Sequence, residues 1–290
     1  MRIRGARDRQ NVLAAALANG ITHFDTAPIY GFGESERALG RFLRGRRDQV
    51  TVATKFGLRP SRLATLLSPL QQLARRAVAA SPLIRRAAVR NSVALYTPPV
   101  FSTAAIRESL ESSLRALRTD RVDFFLAHQA SAQALPTEEV VGMLEDLRRA
   151  GKIRDFGVAT DFIRLQPVLE RRPELARIIQ FDSEPASGNV GKLNIGAGAL
   201  LITYSFVHRS VALCRERLAA GSGADRELRQ ADDETLGGLL LRAAVLANPD
   251  GLTLMQSRFP DRIGRNVRAA ASAHRDEQVR RLLTLLERRN

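Results

Sequence analysis

Stretches of helical periodicity alternate with short, β-branched apolar runs along most of this chain, and that alternation restricts the fold more than any other feature. Arg7 to Ala18 reads as a helix closed by Asn19-Gly20, Ile21 to Thr26 as a strand, Ser35 to Leu43 as a helix and Val50 to Thr54 as a second strand. Ser102 to Leu117, Thr137 to Ala150, Phe162 to Leu169 and Asp232 to Ala247 have the spacing of further helices, with Thr137 as a cap and Gly151 as a stop. Strands fall between them at Val122 to Ala127, Ile153 to Val158, Ile178 to Phe181, Ala199 to Tyr204 and Leu252 to Gln256. Seven strands joined by connections long enough to cross over predict an α/β fold, a (β/α)8 TIM barrel ahead of a doubly wound sheet. One barrel domain over residues 1–290 suffices for this length. The eighth strand is missing where it should come first, so either Met1 to Arg4 form a vestigial strand or the barrel lacks a stave.

Between Lys55 and Ser102 about 45 residues separate a strand from its following helix, where a handful is usual. This insertion, residues 60–98, together with Arg59 just before it, has no Asp or Glu and carries Arg59, Arg62, Arg75, Arg76, Arg85, Arg86 and Arg90. Leu63, Leu66, Leu67, Leu70 and Leu73 recur at helix-like intervals, interrupted at Ser68-Pro69 and Ser81-Pro82. It reads as a solvated basic helical cap on the barrel mouth, or as a lid contacting the cofactor's phosphates or an acidic partner.

Composition excludes several classes. No run of about 18 uncharged apolar residues occurs, so no membrane span is expected. The charged Met1 to Asn11 stretch does not suit a secretory signal, and the single Cys214 reads as a small helix residue, so a reducing cytoplasm is expected. Neither Cys214 nor His23, His208 and His274 have partners at metal-ligand spacing, and no metal is expected. The net charge of +15 invites a polyanion partner, but the arginines are spread over most helices and Trp is absent. Nucleic acid is therefore not the expected partner, and oligomeric state is not readable.

In a barrel of this kind chemistry gathers at the carboxyl ends of strands. There the chain delivers Asp25, then Tyr30 in the following loop, Lys55 and His128. A phenol, an ammonium, a carboxylate and an imidazole suit carbonyl reduction, in which charge builds on oxygen as a proton arrives. The ordinary phenol pKa of about 10 is expected to be lowered by Lys55, with Asp25 holding the ammonium charged. Only three of the 45 basic residues are lysine, and one of them stands at the position where a compact ammonium is wanted.

Gly20-Ile-Thr-His-Phe-Asp-Thr-Ala-Pro-Ile-Tyr-Gly31, Gly33-Glu-Ser-Glu36 and Leu39-Gly40 resemble the aldo-keto reductase signature around its catalytic Asp and Tyr. Ala53-Thr-Lys-Phe-Gly57 is similar to the lysine motif of that family. The run from Ser109 to Asp120 continued by Val122-Asp-Phe-Phe-Leu-Ala-His128 resembles the segment ending in its histidine. The resemblance implies an NAD(P)H-dependent oxidoreductase acting on a small carbonyl or alcohol substrate, with catalytic Asp25, Tyr30, Lys55 and His128.

Gln256-Ser-Arg-Phe-Pro-Asp-Arg-Ile-Gly-Arg-Asn266 is similar to the family pattern K-S-x-x-x-x-R-I-x-E-N. The resemblance implies Ser257 and Arg262 at the adenosine 2′-phosphate and Asn266 at the adenine, with Gln256 in place of a lysine and Arg265 in place of a glutamate. Arg258 is suited to restore a bidentate grip, so NADP (NADPH) is expected in preference to NAD. Gln180 matches the glutamine that touches the nicotinamide carboxamide, Thr160 occupies a position usually held by asparagine, and Tyr204-Ser205 resemble the pyrophosphate-side loop. A barrel that binds nucleotide without turnover, as a regulatory or scaffold protein, is the alternative.

Overall fold

The computed structural model describes residues 6–59, 98–196, 198–205, 207–220 and 226–287. Met1 to Arg4, and with them the question of a vestigial first strand, lie outside the described residues, as does the helical insertion apart from its edges. By internal contacts the chain divides into two compact units, Thr22–Ala159 being the bulk of one, and the described parts of Ile3–Ile21 and Thr160–Asn290 forming the other.

In the first unit four parallel strands pair in sequence order: β1 (His23–Asp25), β2 (Thr51–Phe56), β3 (Val122–His128) and β4 (Ile153–Ala159). Parallel strands covered by helices read as nearly continuous apolar runs, and β3 is buried at every position. Helices α2 (Glu34–Phe42), α3 (Thr103–Leu117) and α4 (Glu138–Arg149) supply the apolar stripes that cover it. The Thr137 hydroxyl accepts the Val140 N–H at 3.4 Å at the start of α4, and Gly151 follows its end at φ 70°, so the expected cap and stop both form. Gly40 lets α2 and α3 meet closely, since a Cβ there would lie 2.3 Å from the Ala116 carbonyl oxygen.

The second unit opens with α1 (Ala6–Ala18) and continues with α5 (Phe162–Arg171), which runs two residues beyond the expected end at Leu169. Pro167 lies inside α5; the Ile163 carbonyl it leaves without an N–H belongs to a residue 85% exposed, where water can serve it. Strands β5 (Ile178–Asp182), β6 (Leu200–Tyr204) and β7 (Leu252–Leu254) are parallel, and β7 stops two residues before the expected Gln256. Helices α6 (Val207–Ala220), α7 (Arg226–Gln230), α8 (Asp233–Ala247), α9 (Pro260–Ala271) and α10 (Asp276–Glu287) complete it. Val211, Cys214 and Leu218 of α6 pack with Leu236, Leu239 and Leu240 of α8 and Val279 and Leu282 of α10. Cys214 is thus a helix seam residue, and burial pushes its thiol pKa up to about 11, which keeps it protonated. Among the described residues no helix is long and apolar enough to cross a membrane.

Candidate active site

The four side chains singled out at the strand ends come together in the first unit. Asp25 closes β1, Lys55 lies one residue before the end of β2, and their strands are paired with Asp25 opposite Ala53. Residues two apart on a strand share a face, so Lys55 stands on the side of Asp25. Its ammonium donates to both carboxylate oxygens, at 2.6 and 2.7 Å, and to the Thr26 carbonyl at 3.0 Å. With the Tyr30 side chain as a further hydrogen-bond partner, the ammonium is surrounded by acceptors, which is what makes so buried a charge tolerable.

Tyr30 sits in a turn closed by its own N–H to the Ala27 carbonyl at 3.0 Å, and its carbonyl accepts the Ser35 N–H at 3.2 Å. The loop is locked to the first turn of α2 in this way. The Lys55 Nζ lies 5.1 Å from the centre of the Tyr30 ring, and the His128 ring meets that ring edge-on, centroids 6.1 Å apart at 88°. Immediately after His128, Gln129 takes the left-handed conformation at φ 57° and donates its N–H to the Ala159 carbonyl at 2.7 Å. A left-handed non-glycine residue is uncommon and here ends β3 at the imidazole.

The electrostatics follow from burial. His128 loses its charged form, its pKa pushed down to about 3 by desolvation and secondly by the Lys55 charge, so its imidazole is neutral. Asp25, with the Tyr30 phenol, outweighs the desolvation of Lys55 and raises the lysine pKa, so the ammonium persists. For Tyr30 the outcome reverses the expected sign: desolvation raises its pKa, and the opposing pull of Lys55 does not compensate. The phenol is held in its protonated form.

One buried acid near this cluster belongs to the Gly33-Glu-Ser-Glu36 stretch of the signature, which assigns it no role. Glu36, on α2, is 3% exposed and accepts the Thr54 hydroxyl at 2.7 Å; burial raises its pKa. Its signal was its place on the apolar stripe of α2 with Leu39, Gly40 and Phe42, where a carboxyl is conspicuous.

The residues expected to hold a dinucleotide all lie in the second unit. Thr160 and Gln180, both buried, follow β4 and occupy β5, and the Thr160 N–H donates to the Gln180 carbonyl at 3.0 Å. Tyr204 ends β6 opposite Asp182, two residues beyond the pairing of Gln180 with Ile202, so it shares the Gln180 face; Ser205 follows it. Ser257, Arg258 and Arg262 surround the start of α9. Asn266, one turn further along the same helix than Arg262, lines a cavity of about 420 Å³ between α8 and α9 with Thr235, Arg265 and Arg268. Arg265, standing where a glutamate was expected, is paired with Glu234 of α8. Among the described residues no group of three His, Cys, Asp or Glu side chains is placed to hold a metal ion.

The sequence model of the Aldo/keto reductase family matches residues 5–176, more than half of the chain. The chain belongs to the aldo/keto reductase family. Among curated relatives, this aldo/keto reductase is similar to aldo-keto reductase YhdN of Bacillus subtilis, 35% identical over 149 residues, 51% of this chain and 35% of that protein. It is also similar to an NADH-specific methylglyoxal reductase of Escherichia coli, 32% identical over 161 residues, 53% of this chain and 43% of that protein. These matches span less than half the length of either relative. Among solved structures, an aldo-keto reductase from Bacillus halodurans in its holo form superposes with a TM-score of 0.66 at 19% identity, covering 97% of this chain and 88% of that one. An aldo-keto reductase from Klebsiella pneumoniae in complex with NADPH gives 0.60 at 22%, covering 97% and 87%. That likeness shows the fold class, the (β/α)8 barrel of the family.

Proposed function

We propose that this chain is a single-domain NADP(H)-dependent oxidoreductase that reduces aldehydes or ketones to alcohols, reversibly, with Tyr30 as proton donor. The observation that carries the reading is the buried Lys55–Asp25 ion pair beside the Tyr30 ring, with a neutral His128 against the other side of the cluster.

When bound, the cofactor supplies the hydride that adds to the carbonyl carbon. The Tyr30 hydroxyl gives its proton to the carbonyl oxygen as negative charge builds there. The tyrosinate left behind is stabilised by the Lys55 ammonium, which Asp25 keeps charged and in place. His128, neutral and therefore still a one-hydrogen donor, orients the same oxygen. In the reverse direction the tyrosinate takes the proton of the alcohol.

The donor set of the second unit suits a phosphorylated dinucleotide. Thr160 and Gln180 would hold the carboxamide end, Tyr204 and Ser205 the middle, and Ser257, Arg258 and Arg262 the adenosine 2′-phosphate, with Asn266 toward the adenine. Arg258 and Arg262 have no acidic partner among the described residues, and this favours NADP(H) over NAD(H). The relatives carry both labels, one being described as NADH-specific and another, from Schizosaccharomyces pombe, as NADP(+). A small-molecule carbonyl or alcohol is the proposed partner, in the cytoplasm.

The test is to follow absorbance at the nicotinamide band with NADPH, NADH and a panel of aldehydes, for the wild type and Tyr30→Phe. Turnover lost in the variant with cofactor affinity within about a few-fold supports the proposal. Undiminished turnover in Tyr30→Phe overturns the assignment of the proton donor, and tight cofactor binding without any turnover in the wild type favours the nucleotide-binding regulatory reading.

A further inference from the structure

Phe259 is among the large apolar side chains that stand most open to solvent, 54% exposed at the residue before α9. A single exposed ring is ordinary and decides nothing. What sets this one apart is its company: the Arg258 guanidinium carbon lies 5.5 Å and that of Arg262 5.9 Å from the ring centroid. Most arginines of the second unit that carry a described bond are tied to acids, as Arg215 is to Asp233, Arg242 to Asp276 and Arg281 to Glu227. Arg258 and Arg262 are tied to none among the described residues. Their shared partner is the ring.

The backbone beneath the ring is fixed from both sides. Ser257 closes a small loop, its hydroxyl donating to the Phe259 carbonyl at 3.0 Å and accepting the Phe259 N–H at 3.2 Å. Pro260, locked in φ, begins the helix immediately afterwards. The negative face of an aromatic ring attracts a guanidinium, each such exposed contact being worth about a two- to fivefold change in an equilibrium. The N–H donors of Arg258 and Arg262 remain open, and a phosphate monoester, close to doubly charged with three acceptor oxygens, is the anion that two guanidinium forks match.

We propose that Phe259 is a positioning residue for the 2′-phosphate of the cofactor: its ring gathers Arg258 and Arg262 into one doubly cationic grip, which replaces the charge missing at Gln256. The proposal rests on the NADP(H) reading above. Phe259 acts through the two arginines, and the gain it confers is confined to ligands bearing the 2′-phosphate.

The experiment is calorimetric titration of the full chain with adenosine 2′,5′-bisphosphate and with AMP, which lacks the 2′-phosphate. The wild type binds the bisphosphate at least about tenfold more tightly. Phe259→Leu keeps apolar bulk without the ring's negative face; it weakens bisphosphate binding about fivefold or more and leaves AMP binding unchanged, while Phe259→Tyr retains the wild-type ratio. The ring is exposed, so thermal midpoints of both variants match the wild type. If Phe259→Leu discriminates as well as the wild type while Arg258→Ala and Arg262→Ala do not, the positioning role is overturned and the phosphate site stands. A wild type that fails to discriminate overturns the phosphate site and this proposal with it, and equal losses for both ligands in Phe259→Leu also overturn it, by placing the ring against the adenosine.

Discussion

The Lys55 ammonium grips both carboxylate oxygens of Asp25, at 2.6 and 2.7 Å, with the lysine 1% exposed. Removing one member of such a pair strands the other in a poor solvent, which costs about 3–5 kcal/mol, whereas removing both together costs less than the sum. Asp25→Asn and Lys55→Met should therefore each destabilise strongly in urea, with a double variant milder than additivity by about 1–3 kcal/mol. Strict additivity would mean that the two groups do not hold each other.

The raised pKa of Tyr30 sets the pH dependence. If Tyr30 is the proton donor as proposed, reduction requires the protonated phenol, so kcat/KM for carbonyl reduction should stay level through neutrality and fall only above the ordinary phenol value of about 10. Lys55 opposes the rise, so removing its charge moves the pKa further up. In Lys55→Met the residual activity should lose its alkaline fall or show it at higher pH than the wild type. A limb that moves to lower pH would contradict the assignment of Lys55 as the cation acting on Tyr30.

His128 makes a prediction about stability. With a folded pKa of about 3 against an ordinary 6.5, the folded state binds fewer protons than the unfolded state between those values. Stability from the neutral imidazole is thus complete above pH 6.5 and is lost as pH falls toward 3, on the order of 3 kcal/mol between pH 7 and 4. His128→Asn should lose much less over that interval than the wild type when the two are unfolded in urea at each pH. His23, whose pKa burial also lowers, acts in the same direction and is common to both proteins. Parallel curves would show that the imidazole is not held neutral.

Much of this was legible in the sequence because it depends on period and on local chemistry. The strand at Val122 is apolar because both of its faces are covered, and the cap at Thr137 and the stop at Gly151 are one-residue signals. The four candidate catalytic residues could be found because each ends or follows an apolar run. The sign of the Tyr30 shift could not, since it depends on how far burial outweighs a neighbouring charge. Helix α6 has no bounds in the sequence reading, although Cys214 reads as a helix residue and Val211, Cys214 and Leu218 recur at helical spacing, because its polar residues and the stretch before it give no cap. The pairing of Arg265 with Glu234 and the gathering of Arg258 and Arg262 on Phe259 join residues by geometry that no local pattern encodes.

Asp123 supports the strands that carry Asp25, Lys55 and His128 without belonging to their cluster. It is 3% exposed on β3, and its carboxylate accepts from Arg47 at 2.7 Å and from the Val52 N–H on β2 at 2.9 Å, with Arg154 of β4 at 3.3 Å. Three strands and the segment before β2 thus converge on one buried charge. Asp123→Ala takes the carboxylate from the Arg47 guanidinium, whose side chain is only 13% exposed, and leaves it the Thr119 hydroxyl and the Val50 and Arg121 carbonyls as neutral acceptors; the unpaired charge should cost about 3–5 kcal/mol in urea unfolding. Asp123→Asn keeps the shape and an acceptor for Val52 but not the charge, and should cost less. Because the effect is on the scaffold, the pH profile of kcat/KM in Asp123→Asn should overlay that of the wild type; a displaced profile would show that Asp123 acts on Tyr30 and Lys55, whose charged neighbours are each other and Asp25.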